Sequence, residues 1–271
     1  MNRWHLHLRQ APAERLDLRH LDGRLAEVED ARGVGDCEIG CGRQRVPVGE
    51  LFDVRPLTDG TAALRLSGDL GRADRIGWGW AAGLLEVDGD AGHHLGTGLR
   101  GGVLHLRGSA GHGAGCEMSG GELCIDGDAG DFLASTLPGS MDGMRGGRLE
   151  VRGSVGARCA DRMRRGTVVV HGDAGDFLGS RLVAGTVVLG GACGAHPAWG
   201  MRRGTLLMRA SALAQAPATF VPDHADHGVF LALLRRDLAR HGQVAAALAG
   251  RPRCWRGDLA VDGRGELLIF D

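Results

Sequence analysis

A Gly-x-x-Gly element recurs seven times between residues 68 and 209 of this chain of 271 residues. The copies begin at Gly68, Gly89, Gly108, Gly127, Gly153, Gly172 and Gly191. Successive starts lie 21, 19, 19, 26, 19 and 19 residues apart. A period of this length with occasional insertions is typical of a solenoid, in which each coil packs only on its neighbours. We therefore expect an elongated rod whose functional surface is a long outer face.

The residues within one repeat describe a coil. When the first glycine is position 1, positions 3, 7, 11, 16 and 18 are mostly apolar, and the alternation at 16 and 18 predicts a strand with one buried face. Glycines at positions 1, 4 and 14 suit sharp corners with positive φ, and Asp or Ser at position 2 suits a turn in which the side chain bonds a nearby amide. Leu64 and Leu66 predict an eighth, partial coil.

The predicted fold class is mainly β. We expect a right-handed single-stranded parallel β-helix of about seven coils, with a small N-terminal cap and a C-terminal helix plus hairpin. Residues 1–60 form the cap segment, residues 61–210 the β-helix and residues 211–271 the C-terminal unit. Residues 135–140 fall in the longest repeat and are expected to bulge out as a loop, which either makes specific contacts or is a tolerated insertion.

The flanking segments carry their own patterns. Alternation after Trp4 predicts a strand near the N-terminus. Near the C-terminus, apolar residues at helical spacing over 230–238 predict an amphipathic helix that Asp226 can cap. The apolar runs 259–261 and 267–269 predict the two strands of a hairpin.

The composition restricts the class of protein. The 32 basic and 33 acidic residues give a net charge of −1, which argues against nucleic acid as the main partner. No stretch approaches 18 apolar residues, and the N-terminus has no apolar signal core. We therefore expect a cytoplasmic protein without a membrane partner, in which the seven cysteines are free thiols.

Position 17 points outward, and its character changes along the rod. In the last three coils it reads Val169, Val188 and Leu207, whereas earlier coils have mostly polar residues there. An apolar outer strip of this kind is normally covered. Two covers are open: the C-terminal helix folds back over the strip, or a partner protein uses it as an interface.

A search for chemistry finds one arrangement that resembles a metal site. His93 and His112 share position 5 in adjacent coils, and Asp131 follows at the same position of the next coil. Imidazole and carboxylate side chains stacked in this way can ligate a metal ion, or they are surface side chains in register. No sequence motif for a nucleophilic serine, a zinc protease or a phosphate-binding loop is present, and no catalytic residue is assigned.

A ladder of basic residues is the second candidate. Position 12 reads Arg100, Arg145, Arg164 and Arg202 in four of the coils. Stacked guanidinium groups suit a polyanion, such as the acidic tail of a cofactor, or an acidic partner surface. The alternative is a solvated corner that supplies solubility.

The repeat resembles a known β-helical family. The pattern Gly-x-x-Gly-x-x-x-Gly is intact in the units that begin at Gly89, Gly108 and Gly172, and the run Gly-Asp-Ala-Gly-Asp-Phe-Leu at Gly127 is repeated at Gly172. The members of this family include the C-terminal domain of glutamate synthase large subunits and the β-helical subunit of formylmethanofuran dehydrogenase. The length of the chain, its N-terminal segment and its Arg-rich C-terminal helix are most similar to the latter and to its counterpart in the bacterial formyltransferase/hydrolase complex.

The resemblance implies a non-catalytic scaffold subunit. In this family the chemistry belongs to an amidohydrolase-like subunit and a formyltransferase subunit, which assemble with a further subunit. Their complex moves a formyl group between tetrahydromethanopterin and a methanofuran-like carrier in one-carbon metabolism (formaldehyde oxidation). It follows from the resemblance that this chain binds no cofactor itself and that the metal lies in another subunit.

Two other functions stay open at this stage. The first is a docking or channel module of a glutamate synthase-like enzyme, which is usually fused to catalytic domains too large for this chain. The second is a stand-alone β-helical carbohydrate enzyme, which would need carboxylates or basic residues clustered in one groove.

Overall fold

The computed structural model describes residues 3–21, 25, 28–58, 60, 62–213, 216–224, 227–239 and 250–271. The described residues of the N-terminal segment form five strands and two short helices. They are β1 (Trp4–Leu8), β2 (Leu16–Asp17), α1 (Ala31–Gly35), β3 (Glu38–Cys41), β4 (Gln44–Pro47), α2 (Val48–Leu51) and β5 (Phe52–Pro56). The strand predicted after Trp4 is confirmed as β1. It pairs in parallel with the first strand of the rod and antiparallel with β5, while β2, β3 and β4 contribute to a separate four-stranded sheet.

Eight parallel strands build the rod, one for each predicted coil and one for the partial coil. They are β6 (Leu64–Ser67), β8 (Leu84–Asp88), β9 (Val103–Leu106), β10 (Ser119–Ile125), β11 (Arg145–Val151), β12 (Arg165–Val170), β13 (Thr186–Leu189) and β14 (Thr205–Arg209). The two-residue strand β7 (Ala73–Asp74) joins the smaller sheet instead. Each rod strand bonds to its equivalent one coil away. The mainly β, parallel β-helical fold is therefore confirmed.

The interior of the rod is formed by the repeat positions that the alternation predicts. Across the seven coils, the side chains at positions 16 and 18 are 0–1% exposed. Position 11 adds large side chains such as Met118, Met144 and Met163, each of which is fully buried. Because strands pair with equal positions opposite one another, residues of one kind form columns along the rod.

The repeated glycines have two different roles. At position 14 the backbone adopts positive φ, as in Gly121 (φ +74°), a conformation that glycine reaches without steric cost. At position 4 of every coil, and at position 1 of the last five coils, the φ angle is not positive, so the prediction of positive φ at these corners was wrong. An added Cβ at Gly111 would lie 2.5 Å from the His93 ring and 2.9 Å from the carbonyl oxygen of Gly92 in the preceding coil. Glycine is needed there because the coils approach closely.

Side chains at position 2 connect coils instead of closing a turn within one coil. Asp90 Oδ1 accepts a hydrogen bond of 2.7 Å from the backbone amide of Ser109. Ser109 Oγ in turn accepts from the amide of Asp128 at 3.1 Å, and Asp128 Oδ1 accepts from the amide of Ser154 at 2.7 Å. Each coil thus supplies an acceptor for an amide of the next coil that the strand ladder leaves unpaired.

The C-terminal unit continues the sheet of the rod. It contains β15 (Val221–Asp223), α3 (Gly228–Leu238), β16 (Arg253–Gly257) and β17 (Gly265–Phe270). β17 pairs in parallel with β14, and β16 pairs antiparallel with β17. The predicted hairpin is present, but its first strand is β16. The run Leu259–Val261 forms a 3-10 helix, because the Asp258 side chain caps the amide of Ala260 and Asp262 turns the chain at positive φ.

The apolar strip at position 17 is covered by the chain itself. Val169, Val188 and Leu207 are fully buried and form one cluster with buried residues of α3 and β17. An ion pair of 2.9 Å between Arg148 and Asp237 also joins the rod to the helix. The three side chains leave no surface for a partner, so their assignment as an intermolecular interface is corrected. Asp226, the predicted cap of α3, lies outside the described residues.

In the described part of the chain, no helix has the length and apolar character to cross a bilayer.

The cover predicts different effects for two neighbouring leucines of α3. Leu234 is 8% exposed and packs in the strip cluster, whereas Leu233 is 53% exposed. We expect Leu234→Ala to lower the free energy of unfolding by about 2–3 kcal/mol, because it leaves a cavity, and the control Leu233→Ala to change it by less than about 0.5 kcal/mol. Urea unfolding of both variants measures this. Equal effects would show that α3 does not pack on the strip.

Candidate functional site

The position-12 arginines lie along one corner of the rod, and three of them meet in one cavity. Arg145, Arg164 and Arg202 line a cavity of about 580 Å³ together with Arg165 and Arg203. Arg100, the fourth predicted member of the ladder, does not line this cavity. Position 12 of the intervening coil is Ser119, so the column of guanidinium groups is interrupted there.

A second cavity adjoins the first, and a third adjoins the second, so the basic surface extends around the corner. The second cavity has a volume of about 460 Å³ and shares the lining residues Arg164 and Arg202 with the first. The third has a volume of about 710 Å³ and shares Arg162 and Arg181 with the second. We call the three together the arginine groove. Its arginines are Arg145, Arg158, Arg162, Arg164, Arg165, Arg181, Arg202 and Arg203.

Three of these arginines occupy strained backbone positions. Arg158, Arg162 and Arg181 have φ angles of 59°, 57° and 53°. The residue at the repeat position of Arg162 and Arg181 is a glycine with positive φ in three other coils, at Gly79, Gly98 and Gly200, and it is Glu117 (φ +54°) in the coil that begins at Gly108. A left-handed residue with a Cβ costs about 1–2 kcal/mol relative to glycine. The replacement of glycine by arginine in two successive coils is the sequence signal that could have located this part of the groove.

Buried and half-buried acids hold some of the guanidinium groups in place. Asp161 is 2% exposed and accepts hydrogen bonds from Arg181 Nε (2.8 Å) and from Ser180 Oγ (2.7 Å). Arg164 Nε pairs with Asp142 at 2.5 Å. Among the described residues, the Arg162 guanidinium donates to the sulfur of Met141, at 3.2 Å, which is a weak acceptor. The groove is thus partly preorganised and still has donors that are poorly satisfied.

The remaining arginines have no carboxylate partner in the described part of the chain. This holds for the side chains of Arg145, Arg165, Arg202 and Arg203, all of which are exposed. At the edge of the groove, the Arg158 guanidinium makes a cation–π contact with Phe177, and its carbon lies 4.7 Å from the centre of the ring. An anionic ligand or surface would therefore find several available donors.

The largest cavity of the groove is closed on one side by the insertion at residues 135–140 and contains reactive residue types. Burial raises the pKa of the Cys116 thiol to about 12, so the thiolate is absent at neutral pH. Burial and the charge of Arg75 lower the pKa of His94, which is therefore mainly neutral. Asp161 is engaged by Arg181. The Cys116 thiol and the paired Asp161 are not in the state that a nucleophile or a free base would need, whereas neutral His94 has the form of a general base.

The predicted His-His-Asp metal site has a different structure. His93 Nδ1 accepts a hydrogen bond from the backbone amide of His112 at 3.0 Å, and His112 Nδ1 accepts from the amide of Asp131 at 2.9 Å. Each neutral ring therefore carries its proton on Nε2 and uses its lone pair within the stack. The rings lie 5.2 Å apart, and no group of three metal-binding side chains occurs among the described residues. These residues do not fit a metal ion; they connect coils, as position 2 does.

Comparison with known proteins agrees with the geometry. The family model described as "GXGXG motif" matches residues 48–216, which is well over half of the chain. The chain belongs to the GXGXG motif family. The match includes all eight arginines of the arginine groove. No curated protein sequence matches.

One solved structure is similar over nearly the whole length of the chain. It is described as the X-ray crystal structure of the formyltransferase/hydrolase complex (FhcABCD) from Methylorubrum extorquens in complex with methylofuran. The TM-score is 0.90 at 36% sequence identity, and the alignment covers 98% of this chain and 99% of that chain. The family resemblance predicted from the glycine pattern is confirmed.

The histidine ladder of this GXGXG protein predicts a pH dependence. Burial and the charge of Arg15 lower the pKa of His93 in the folded state. As the pH falls through the ordinary imidazole value of about 6.5, the unfolded chain binds a proton first, so stability decreases towards the lowered folded pKa. In His93→Asn, the amide oxygen can accept the same bond without titrating. Urea unfolding at about pH 7 and pH 5 should show a smaller loss for this variant than for the wild type.

The control for this prediction is His224→Asn, because His224 is exposed. We expect the control to keep the pH dependence of the wild type. If His93→Asn also keeps it, the bond to the His112 amide does not govern the protonation of His93.

Proposed function

We propose that this chain is the β-helical subunit of a formyltransferase/hydrolase complex and serves there as a non-catalytic scaffold. The observation that carries the proposal is the 36% identity and TM-score of 0.90 to a chain of such a complex, over 98% of this chain and 99% of that one. A likeness at this identity that runs nearly from end to end of both chains supports a shared place in an assembly in addition to a shared fold.

The state of the residues in the largest cavity supports a non-catalytic role. Cys116 is a protonated thiol and Asp161 is paired with Arg181, so neither is an activated nucleophile or a free base, and neutral His94 is the member of this set that has the form of a general base. The chemistry then belongs to partners, for which we propose an amidohydrolase-like subunit that holds the metal and a formyltransferase subunit, with a further subunit beside them. In the proposed complex, tetrahydromethanopterin and a methanofuran-like carrier supply and receive the formyl group, in keeping with the methylofuran of the similar structure.

The arginine groove is the part of the scaffold that we propose contacts an anion. Arg145, Arg164 and Arg202 line one of its cavities, and no carboxylate in the described residues pairs with Arg145 or Arg202. Both the acidic tail of a carrier and an acidic partner surface match this charge.

Co-expression with the products of the neighbouring genes tests the assembly. We expect the tagged chain to co-purify in a fixed ratio with an amidohydrolase-like and a formyltransferase-like chain, and the purified complex to release formate. A monodisperse monomer that never co-purifies with either chain would contradict the proposal. Capture of a glutamine-dependent amidotransferase would instead favour the glutamate synthase-like docking module.

Substitutions in the largest cavity test the non-catalytic role. In the assembled complex, Cys116→Ala and His94→Asn should change the rate of formate release by less than about twofold, because a general acid, base or nucleophile contributes about 100-fold or more. Asparagine is chosen because His94 has φ +62°, which asparagine tolerates. A loss of about 100-fold with the complex still assembled would make this chain part of an active site.

A further inference from the structure

The arginine groove, we infer, is the docking surface for a partner polypeptide that presents acidic residues around apolar side chains. The inference rests on the proposed function and decides between the two anions left open there. Three observations on the groove carry it: the segregation of charge, the exposed apolar side chains and the strained arginines.

Positive charge is concentrated on this face of an almost neutral chain. The groove has eight arginines against four carboxylates, of which Asp131, Asp161 and Asp258 line it and Asp142 pairs with Arg164. This is an excess of four positive charges in a chain whose net charge is −1. The carboxylates are already engaged: Asp131 accepts from the amide of Ala157, for example, and Asp258 from the amides of Gly200 and Ala260. The face is therefore complementary to an acidic surface.

Exposed apolar side chains are concentrated on the same face. Among the described residues, eight large apolar side chains are exposed, and four of them line the cavities of the groove. They are Phe132 (43% exposed), Met141 (63%), Trp199 (53%) and Val261 (42%). Arginine, tryptophan and methionine are the residue types enriched at the centres of protein–protein interfaces. The flexible acidic tail of a carrier would be held by charge alone, whereas these side chains need an apolar counterpart.

Two arginines of the groove occupy a corner at which glycine is the more common residue of the repeat. Arg162 and Arg181 stand in the left-handed conformation at a corner where three other coils have glycine. Arg162 has no carboxylate partner in the described structure to offset that strain. Its guanidinium is directed to the boundary between two cavities, where a docked polypeptide would pair with it.

Two variants with matched controls test the docking surface in the full chain. Arg162→Gly restores the residue type of the other coils, so it removes the charge without stress on the fold. Trp199→Ala removes the largest exposed apolar group. The control for charge is Arg100→Glu, at a ladder position outside the groove, and the control for apolar area is Leu233→Ala, which has the same 53% exposure. Circular dichroism and urea unfolding confirm that each variant is folded.

Titration calorimetry at low and high salt measures the affinity of the purified chain for the assembled partner subunits, prepared without this chain. We expect each groove variant to weaken binding at least tenfold, Arg162→Gly to reduce the salt dependence as well, and both controls to bind like the wild type. Wild-type affinity in both groove variants would overturn the inference and leave the proposed function intact. If the groove variants assemble normally but lose the bound carrier, the inference is also overturned, because the groove would then bind the carrier tail. Absence of binding by the wild type itself would overturn the proposed function, and the inference with it.

Discussion

Stacking of equal repeat positions from coil to coil is the constraint on which the rest of this structure depends. Each rod strand bonds to the same positions of its neighbour, as Val168 does to Val187 and Val187 to Leu206. Acceptors at positions 2 and 5 add bonds between coils at the corners. The close approach leaves no room for a Cβ at Gly111. A residue type that recurs at one repeat position therefore forms a column of side chains along the rod. The column is buried if the position faces the interior and exposed if it faces outward.

The same constraint explains why a basic surface can form and what it requires. Stacked columns place like charges near one another, which is unfavourable unless acids or solvent offset the repulsion. Asp161 and Asp142 do so for Arg181 and Arg164, whereas the ladder arginines Arg145 and Arg202 are exposed to solvent. The arginine groove thus combines fixed and free guanidinium groups. In this GXGXG family member, the groove also exposes Trp199 beside these guanidinium groups.

Several functional assignments made from the pattern alone needed the structure for a decision. The apolar strip of Val169, Val188 and Leu207 was correctly identified as a surface that must be covered, but burial by α3 and burial by a partner have the same hydrophobic benefit. The His93 and His112 pair was correctly placed in adjacent coils. Its metal-like appearance was misleading, because a sequence shows which rings are neighbours and not which lone pairs are already used.

The sequence by itself determined the coil, the interior columns and the stacking of position-12 arginines, because a periodic chain with parallel pairing repeats one local geometry. The tertiary structure alone decided that Arg162 and Arg181 line the same cavity as the position-12 residues Arg164 and Arg202, and that Trp199 and Val261 line it with them. It also decided that the C-terminal segment returns to extend the sheet through β17 and to cover the rod through α3. These features depend on backbone φ at individual corners and on contacts between segments distant in the chain, and neither follows the period of the repeat.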